Sequence, residues 1–266
     1  MRAALLQLNS QENLTQNFAM IDALLHEASL QNAEYALLPE NFSFFGSEKE
    51  KLVRQQEISE ETILFLKNSA QKYKMIITGG GFPVPTGNGK VFNSALTLSP
   101  TGEAIHRYDK LHLFDATPGD NATYRESHGA QAGNTIAPLL TIGEFSLGVT
   151  ICYDLRFPYL YRALALSGAT AFLVPAAFTE LTGKAHWHTL LRSRAIENTC
   201  YVLAAAQCGE HVNGRRTFGH SMLVDPWGKI VKSLSDEPGT LVVDLSLPLV
   251  ESVRKRMPSL LHGRSL

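Results

Sequence analysis

The sequence predicts an α/β layered fold built on one mixed sheet or two packed sheets. Three observations carry this expectation. Short apolar strand segments alternate with helical patterns along most of the 266 residues, which is the pattern of helices layered on a sheet. Hairpin signals interrupt the alternation and add antiparallel strands. No interdomain linker, repeat or low-complexity tract divides the chain, so residues 1–266 read as one domain, within the roughly 250-residue reach of single α/β domains.

The elements follow in order. Residues 2–8 form a strand pattern. Residues 13–30 carry apolar positions at Phe18, Ile21, Leu24, Leu25 and Ala28, the period of an amphipathic helix. Tyr35–Leu38 is a second strand, ended by Pro39. Glu60–Tyr73 is a second helix. Met75–Gly79 is a third strand, which the run Gly79, Gly80, Gly81 should break. Phe92–Leu98 and Ala104–Tyr108, around Pro100–Gly102, read as a β-hairpin. Residues 114–135 form a long polar loop, a feature usually tied to function in a compact domain. Phe145–Ile151 is a strand, Tyr159–Ser167 a helix, Ala171–Pro175 a strand and His186–Asn198 a helix. Tyr201–Ala206 is a strand, and Ser221–Val224 and Ile230–Ser233 flank a turn at Pro226–Gly228. Thr240–Leu245 is the last strand and Pro248–Arg256 the last helix. Residues 257–266 remain as a short exposed tail.

Composition narrows the function classes. Hydrophobic residues make up 44% of the chain, enough for a sizeable core. The 24 basic and 25 acidic residues nearly cancel, so nothing points to nucleic acid or an anionic membrane as partner. No apolar run reaches the roughly 20 residues that span a bilayer. The N-terminus lacks the apolar core of a signal peptide. Three cysteines, without zinc-ligand spacing, suggest reduced thiols in the cytoplasm.

Three reactive residues sit at strand ends. Glu40 follows YALLP, Lys110 follows AIHRY after one residue, and Cys152 ends FSLGVTI. In open α/β sheets, ligands gather beyond the carboxyl ends of strands. Cys152 lies between a strand and a helix starting near Pro158, a turn like the nucleophile elbow of serine hydrolases, but without its Gly-x-Ser-x-Gly signature. Taken alone, a buried structural cysteine is the commoner case, and Cys200 and Cys208 read that way. Glu40 sits at the rim of the sheet, and partial desolvation there would raise its pKa toward the range of a general base. Lys110 alone would be a surface lysine. His186 and His188 are two apart on a helix and face different ways, which argues against a metal site there. The Gly79–Gly81 run lacks the spacing of a phosphate loop. Arg192 and Arg194 lie on a helix, where structural ion pairs are the default.

Together, LPENF at Glu40, YDKLHLFD at Lys110 and GVTICYDLRFP at Cys152 resemble the signatures of the nitrilase superfamily of carbon–nitrogen hydrolases. The likeness continues through GKAHWHTLLRSRAIEN, AAAQCG, GHSMLVDPWG and RKRMPSLLHGRSL, and so spans essentially the whole chain. The resemblance implies a four-layer αββα sandwich that assembles as a homodimer or larger homo-oligomer. It implies Glu40 as general base, Lys110 as support for the oxyanion and Cys152 as nucleophile, with no metal or organic cofactor. Glu126, in TYRESHG, matches a supporting glutamate of the family. The backbone N–H of Tyr153 would help hold the oxyanion. Arg156, four residues after Cys152, would either meet a substrate carboxylate or form a structural ion pair with Asp154 or another acid.

The resemblance also bears on the substrate, a small-molecule amide. AAAQCGEH and TFGHSM are most similar to the branch that cleaves deaminated glutathione to 2-oxoglutarate and cysteinylglycine, a metabolite repair. The alternatives are an ω-amidase on 2-oxoglutaramate or succinamate, a nitrile hydrolase, and a catalytically idle binding relative.

Overall fold

The computed structural model describes residues 1–119, 123–212 and 214–264. Two six-stranded mixed sheets make its centre. The first runs in the order 239–244, 2–7, 35–37, 76–85, 91–98, 104–109. The second runs 230–233, 222–224, 201–206, 171–176, 145–149, 140–142. Helices Leu14–Leu30 and Gln55–Tyr73 cover the first sheet, and helices Pro158–Leu166 and His188–Asn198 cover the second. The layers are therefore αββα.

Side-chain alternation along Arg2–Gln7 shows how the layers are built, because successive residues of a strand face opposite ways. Ala3 and Leu5 join the apolar layer between the sheets. Ala4 and Leu6 join the layer beneath Leu14–Leu30 and Gln55–Tyr73, with Ile21, Leu25, Leu66 and Ala70. The central strands are buried on both faces, so they read as apolar runs such as AFLVPA and YVLAAA. Among the described residues, no helix is long and apolar enough to cross a membrane.

Three expectations need correction. The strand Ile76–Pro85 does not stop at its glycines but runs through them, with a register shift between Gly79 and Phe82. The glycines allow close approach there. A Cβ on Gly80 would collide with Pro175 of the second sheet and with the Leu38 carbonyl, and one on Gly79 with Leu66 and Phe42. The second helix starts at Gln55 rather than Glu60, after a short helix Glu48–Val53. Its first turn is polar, so apolar periodicity gives no sign of it. The strand before Cys152 ends at Val149, and a 3-10 turn, Cys152–Arg156, follows.

The loop 114–135 carries a small hairpin, Asp115–Ala116 against Tyr124–Arg125, and a helical turn Glu126–Gly129. Its residues 120–122 lie outside the described residues. Of the tail, Leu260 packs on the core and residues 261–264 are exposed, while 265–266 lie outside the described residues.

Gly80→Ala is expected to cost about 1–3 kcal/mol or more, as overpacking does. Gly239→Ala, whose Cβ would meet nothing nearer than 3.9 Å, should cost less. Urea unfolding compares the two, and equal midpoints would contradict close sheet contact at Gly80.

Candidate active site

The strand ends bring Glu40, Lys110 and Cys152 to one cavity. Glu40 lies three residues past the strand Tyr35–Leu37. Lys110 directly follows Ala104–Asp109. Cys152 opens the turn after Phe145–Val149. All three are buried, at 3%, 2% and 7% exposure. The cavity measures about 140 Å³, and Asn93, Phe114 and Glu126 also line it.

Lys110 is the hub. Its Nζ donates to Glu40 Oε1 at 2.8 Å and to both oxygens of Glu126 at 3.1 and 2.9 Å. Asn93 Nδ2 donates to Glu40 Oε1 and to Glu126 Oε1, each at 2.9 Å. The Phe114 N–H donates to Glu126 Oε2 at 2.6 Å, and that of Ala177 to Glu40 Oε2 at 3.1 Å. The long loop thus delivers Glu126 to the lysine, as the sequence suggests. The third glycine of the run has a role as well. Gly81 has φ +53°, and its carbonyl accepts the Asn41 N–H at 2.7 Å. A Cβ there would press on Glu40 Cγ and Asn93 Oδ1.

Electrostatics follow from this packing, and here the expectation for Glu40 is overturned. Burial does push its carboxyl up, but Lys110, with smaller help from Cys152 and Arg215, outweighs burial and holds it well below the usual carboxylate range. Burial would likewise lower the Lys110 ammonium, but Glu126 and Glu40 hold it well above the usual lysine range. Burial and the charge of Glu40 push the Cys152 thiol up against the pull of Lys110. The resting site therefore holds a carboxylate, an ammonium and a neutral thiol in one cavity.

The turn at Cys152 is strained and held. Cys152 has φ +48°, a region that non-glycine residues rarely enter, and then mostly at functional sites. Asp154, fully buried, fixes it. Its Oδ2 accepts the Ile151 N–H at 2.9 Å and the Tyr108 hydroxyl at 2.7 Å. Its Oδ1 accepts the His112 N–H at 3.1 Å and lies 2.6 Å from His112 Nδ1. Tyr153 is the second residue of the 3-10 turn. The first N–H groups of such a turn have no acceptor within it, so that of Tyr153 is open to an incoming oxygen.

The pairing of Arg156 with Asp154 is not formed, because the Asp154 oxygens are taken up by these donors. The Arg156 guanidinium lies 5.8 Å from the Tyr153 ring and 5.3 Å from that of Phe178, with Nη1 3.3 Å from His186 Nδ1. It shares a second, shallow cavity with Cys152. Arg194 is structural, with Nη1 on Glu197 at 2.7 Å and Nε on the Leu155 carbonyl at 3.0 Å. Cys200 and Cys208 are buried away from this cavity. Sequence reasoning misses Asn93 and the Ala177 amide, and also Lys51 and Arg215, which line the same cavity. Asn93 is one polar residue in a strand and Ala177 acts through its backbone, so neither carries a side-chain signal.

Comparison with known proteins identifies the family. The family model described as carbon-nitrogen hydrolase matches residues 2–255. The chain belongs to the carbon–nitrogen hydrolase family. It is a hydrolase of carbon–nitrogen bonds other than peptide bonds. A deaminated glutathione amidase of Synechocystis sp. is 46% identical over 263 residues, which cover 98% of this chain and 97% of the relative. One of Yersinia enterocolitica is 39% identical, covering 98% and 92%. Among solved structures, the NitFhit protein of C. elegans aligns with a TM-score of 0.93 at 35% identity over 99% of this chain, which spans 65% of that longer chain. A mutant amidase from Nesterenkonia sp. AN1, solved with the product of Michael addition of acrylamide at its active-site cysteine, aligns with a TM-score of 0.83 at 28% identity, covering 97% of this chain and 98% of that one.

Two outcomes follow. Asp154→Ala should cost about 3 kcal/mol or more, since each buried donor left without an acceptor costs roughly 1–3 kcal/mol. Denaturant unfolding checks this, and wild-type stability would contradict the bracing role. Glu40→Gln removes the negative charge beside the thiol while Lys110 stays, so the pH midpoint of Cys152 alkylation by iodoacetamide should fall. A midpoint that stays or rises would contradict the electrostatic account.

Proposed function

We propose that this chain is a cysteine-nucleophile amidase whose substrate is deaminated glutathione, cleaved to 2-oxoglutarate and cysteinylglycine. The observation that carries this reading is the Glu40 carboxylate, which meets the Lys110 ammonium and shares one buried cavity with the Cys152 thiol. The substrate rests on the deaminated glutathione amidases that cover nearly the whole chain.

The chemistry uses this geometry directly. Glu40 takes the Cys152 proton as Sγ attacks the amide carbon, so the thiolate forms only as it is consumed. That order suits a thiol whose environment disfavours the free thiolate. The carbonyl oxygen becomes an oxyanion, held by Lys110 and the Tyr153 N–H. One such donor is worth roughly 3–4 kcal/mol in comparable sites. The intermediate collapses, the carbon–nitrogen bond breaks, and the amine leaves with the proton from Glu40. A water then gives a proton to Glu40 and adds to the thioester carbon. The carbon–sulfur bond breaks, and the proton on Glu40 returns to sulfur. Glu126 does not move a proton; it keeps Lys110 charged and in place. Arg156, in the shallow cavity that Cys152 also lines, meets the carboxylate of the leaving dipeptide.

The cytoplasm is the compartment this reading implies, consistent with three free cysteines. A homodimer or larger assembly would cover exposed apolar side chains such as Tyr159 and Leu166. The small cavity also admits 2-oxoglutaramate, so ω-amidase activity is the second reading.

Kinetics decide between them. kcat/KM should be larger for deaminated glutathione than for 2-oxoglutaramate, and parity would favour the ω-amidase. Cys152→Ala should fold normally and lose turnover, and a variant with full activity would refute the nucleophile. Glu40→Gln should lower kcat by about 10²–10⁴, the usual worth of a positioned general base.

A further inference from the structure

We propose that Lys51 and Arg215 form a clamp for a carboxylate on the acyl half of the substrate, and so set its specificity. This rests on the amidase reading above. Neither residue has a part in the proton transfers, yet both line the 140 Å³ cavity with Cys152.

Volume decides which half of the substrate enters. The shallow cavity beside Arg156 holds about 10 Å³ and the cavity of Lys110 about 140 Å³. Only the larger of the two can seat an acyl chain while it stays bound as a thioester. Even so, it is well below the roughly 300–1,000 Å³ of sites for drug-sized ligands. It fits a short acyl group rather than a peptide.

Charge decides what that acyl group carries. At the nucleophile, Glu40 and Glu126 against Lys110 sum to a formal charge of −1. Lining the same cavity, Lys51, Arg125 and Arg215 against Glu48 sum to +2, and Lys51 and Glu48 also line an adjoining cavity that Cys152 does not reach. A carboxylate is repelled by the first group and drawn to the second. An amide that bears a carboxylate at the far end of its acyl chain is thereby oriented with its carbonyl at Cys152.

The two cations are placed for this task. Lys51 donates to Glu48 at 2.7 Å within one short helix, but its side chain is 14% exposed and that of Glu48 61%. A surface pair of that kind is worth little, so it does not explain why Lys51 is tucked over the cavity. The Arg215 guanidinium lies 5.3 Å from the Phe45 ring and 5.0 Å from that of Tyr124. Its Nη2 donates to the Ala177 carbonyl at 3.0 Å. A guanidinium fixed in this way loses little freedom when it meets a carboxylate.

The test compares succinamate with butyramide, in which a methyl group replaces the carboxylate. Wild type should prefer succinamate. In Lys51→Met and in Arg215→Met, the ratio of kcat/KM for succinamate over butyramide should fall at least about tenfold, the effect of losing some 1.4 kcal/mol of binding. The change should sit in the KM for succinamate. Arg215→Lys should restore part of it. Equal losses on both amides would overturn the clamp and make the residues merely structural. A wild type that cleaves both amides without preference would also overturn it and leave the amidase reading standing. Cleavage of neither amide nor of deaminated glutathione would sink the amidase reading itself.

Discussion

The structure turns on one buried ammonium between two carboxylates. Lys110 is 2% exposed and touches Glu40 and Glu126. A buried charge that loses its partner costs on the order of 3–5 kcal/mol, so the three residues stand or fall together. Each comes from a different segment: a parallel strand end, a hairpin strand end and the long loop. Holding them together therefore fixes the relative positions of those segments. Asn93 and the Phe114 amide take up further lone pairs of the carboxylates, which a buried ionic group requires if it is not to be a net burden.

This constraint also sets the chemistry. Lys110 holds Glu40 ionised at neutral pH, and burial together with ionised Glu40 in turn holds Cys152 protonated. The base is strong enough only while the thiol is adding to carbon. The strained backbone at Cys152 and its brace by Asp154 serve the same end, because they aim Sγ at the cavity and open the Tyr153 amide to it. Asp154 is in turn bound to Tyr108, two residues before Lys110. The segment that supplies the cation therefore also steadies the nucleophile.

Much of this was legible in the sequence, for identifiable reasons. The helices Leu14–Leu30 and Pro158–Leu166 declare themselves by apolar period, and the strands Ala171–Ala176 and Tyr201–Ala206 by unbroken apolar runs. Glu40, Lys110 and Cys152 stand at strand ends, where side chains converge, and the family likeness joined them into one site. What escaped depends on three dimensions. A glycine run usually ends a strand, and only packing against Pro175 and Glu40 shows why this one continues. Desolvation alone would have raised the pKa of Glu40, and the opposite outcome needs a lysine 70 residues away at 2.8 Å. Asn93 and Arg215 carry no local motif. Their roles arise from the sheet register and from the short hairpin Cys208–Glu210 with Arg216–Phe218.

The central claim is that Cys152 carries the acyl group between amide cleavage and hydrolysis. The direct measurement is mass spectrometry of enzyme quenched in acid during steady turnover of a slowly cleaved amide, followed by proteolysis. The account predicts the acyl mass on the peptide containing Cys152, lost on treatment with hydroxylamine. Acyl mass on the peptide of Cys200 or Cys208 instead, or on none while turnover proceeds and the thioester step is rate-limiting, would contradict it.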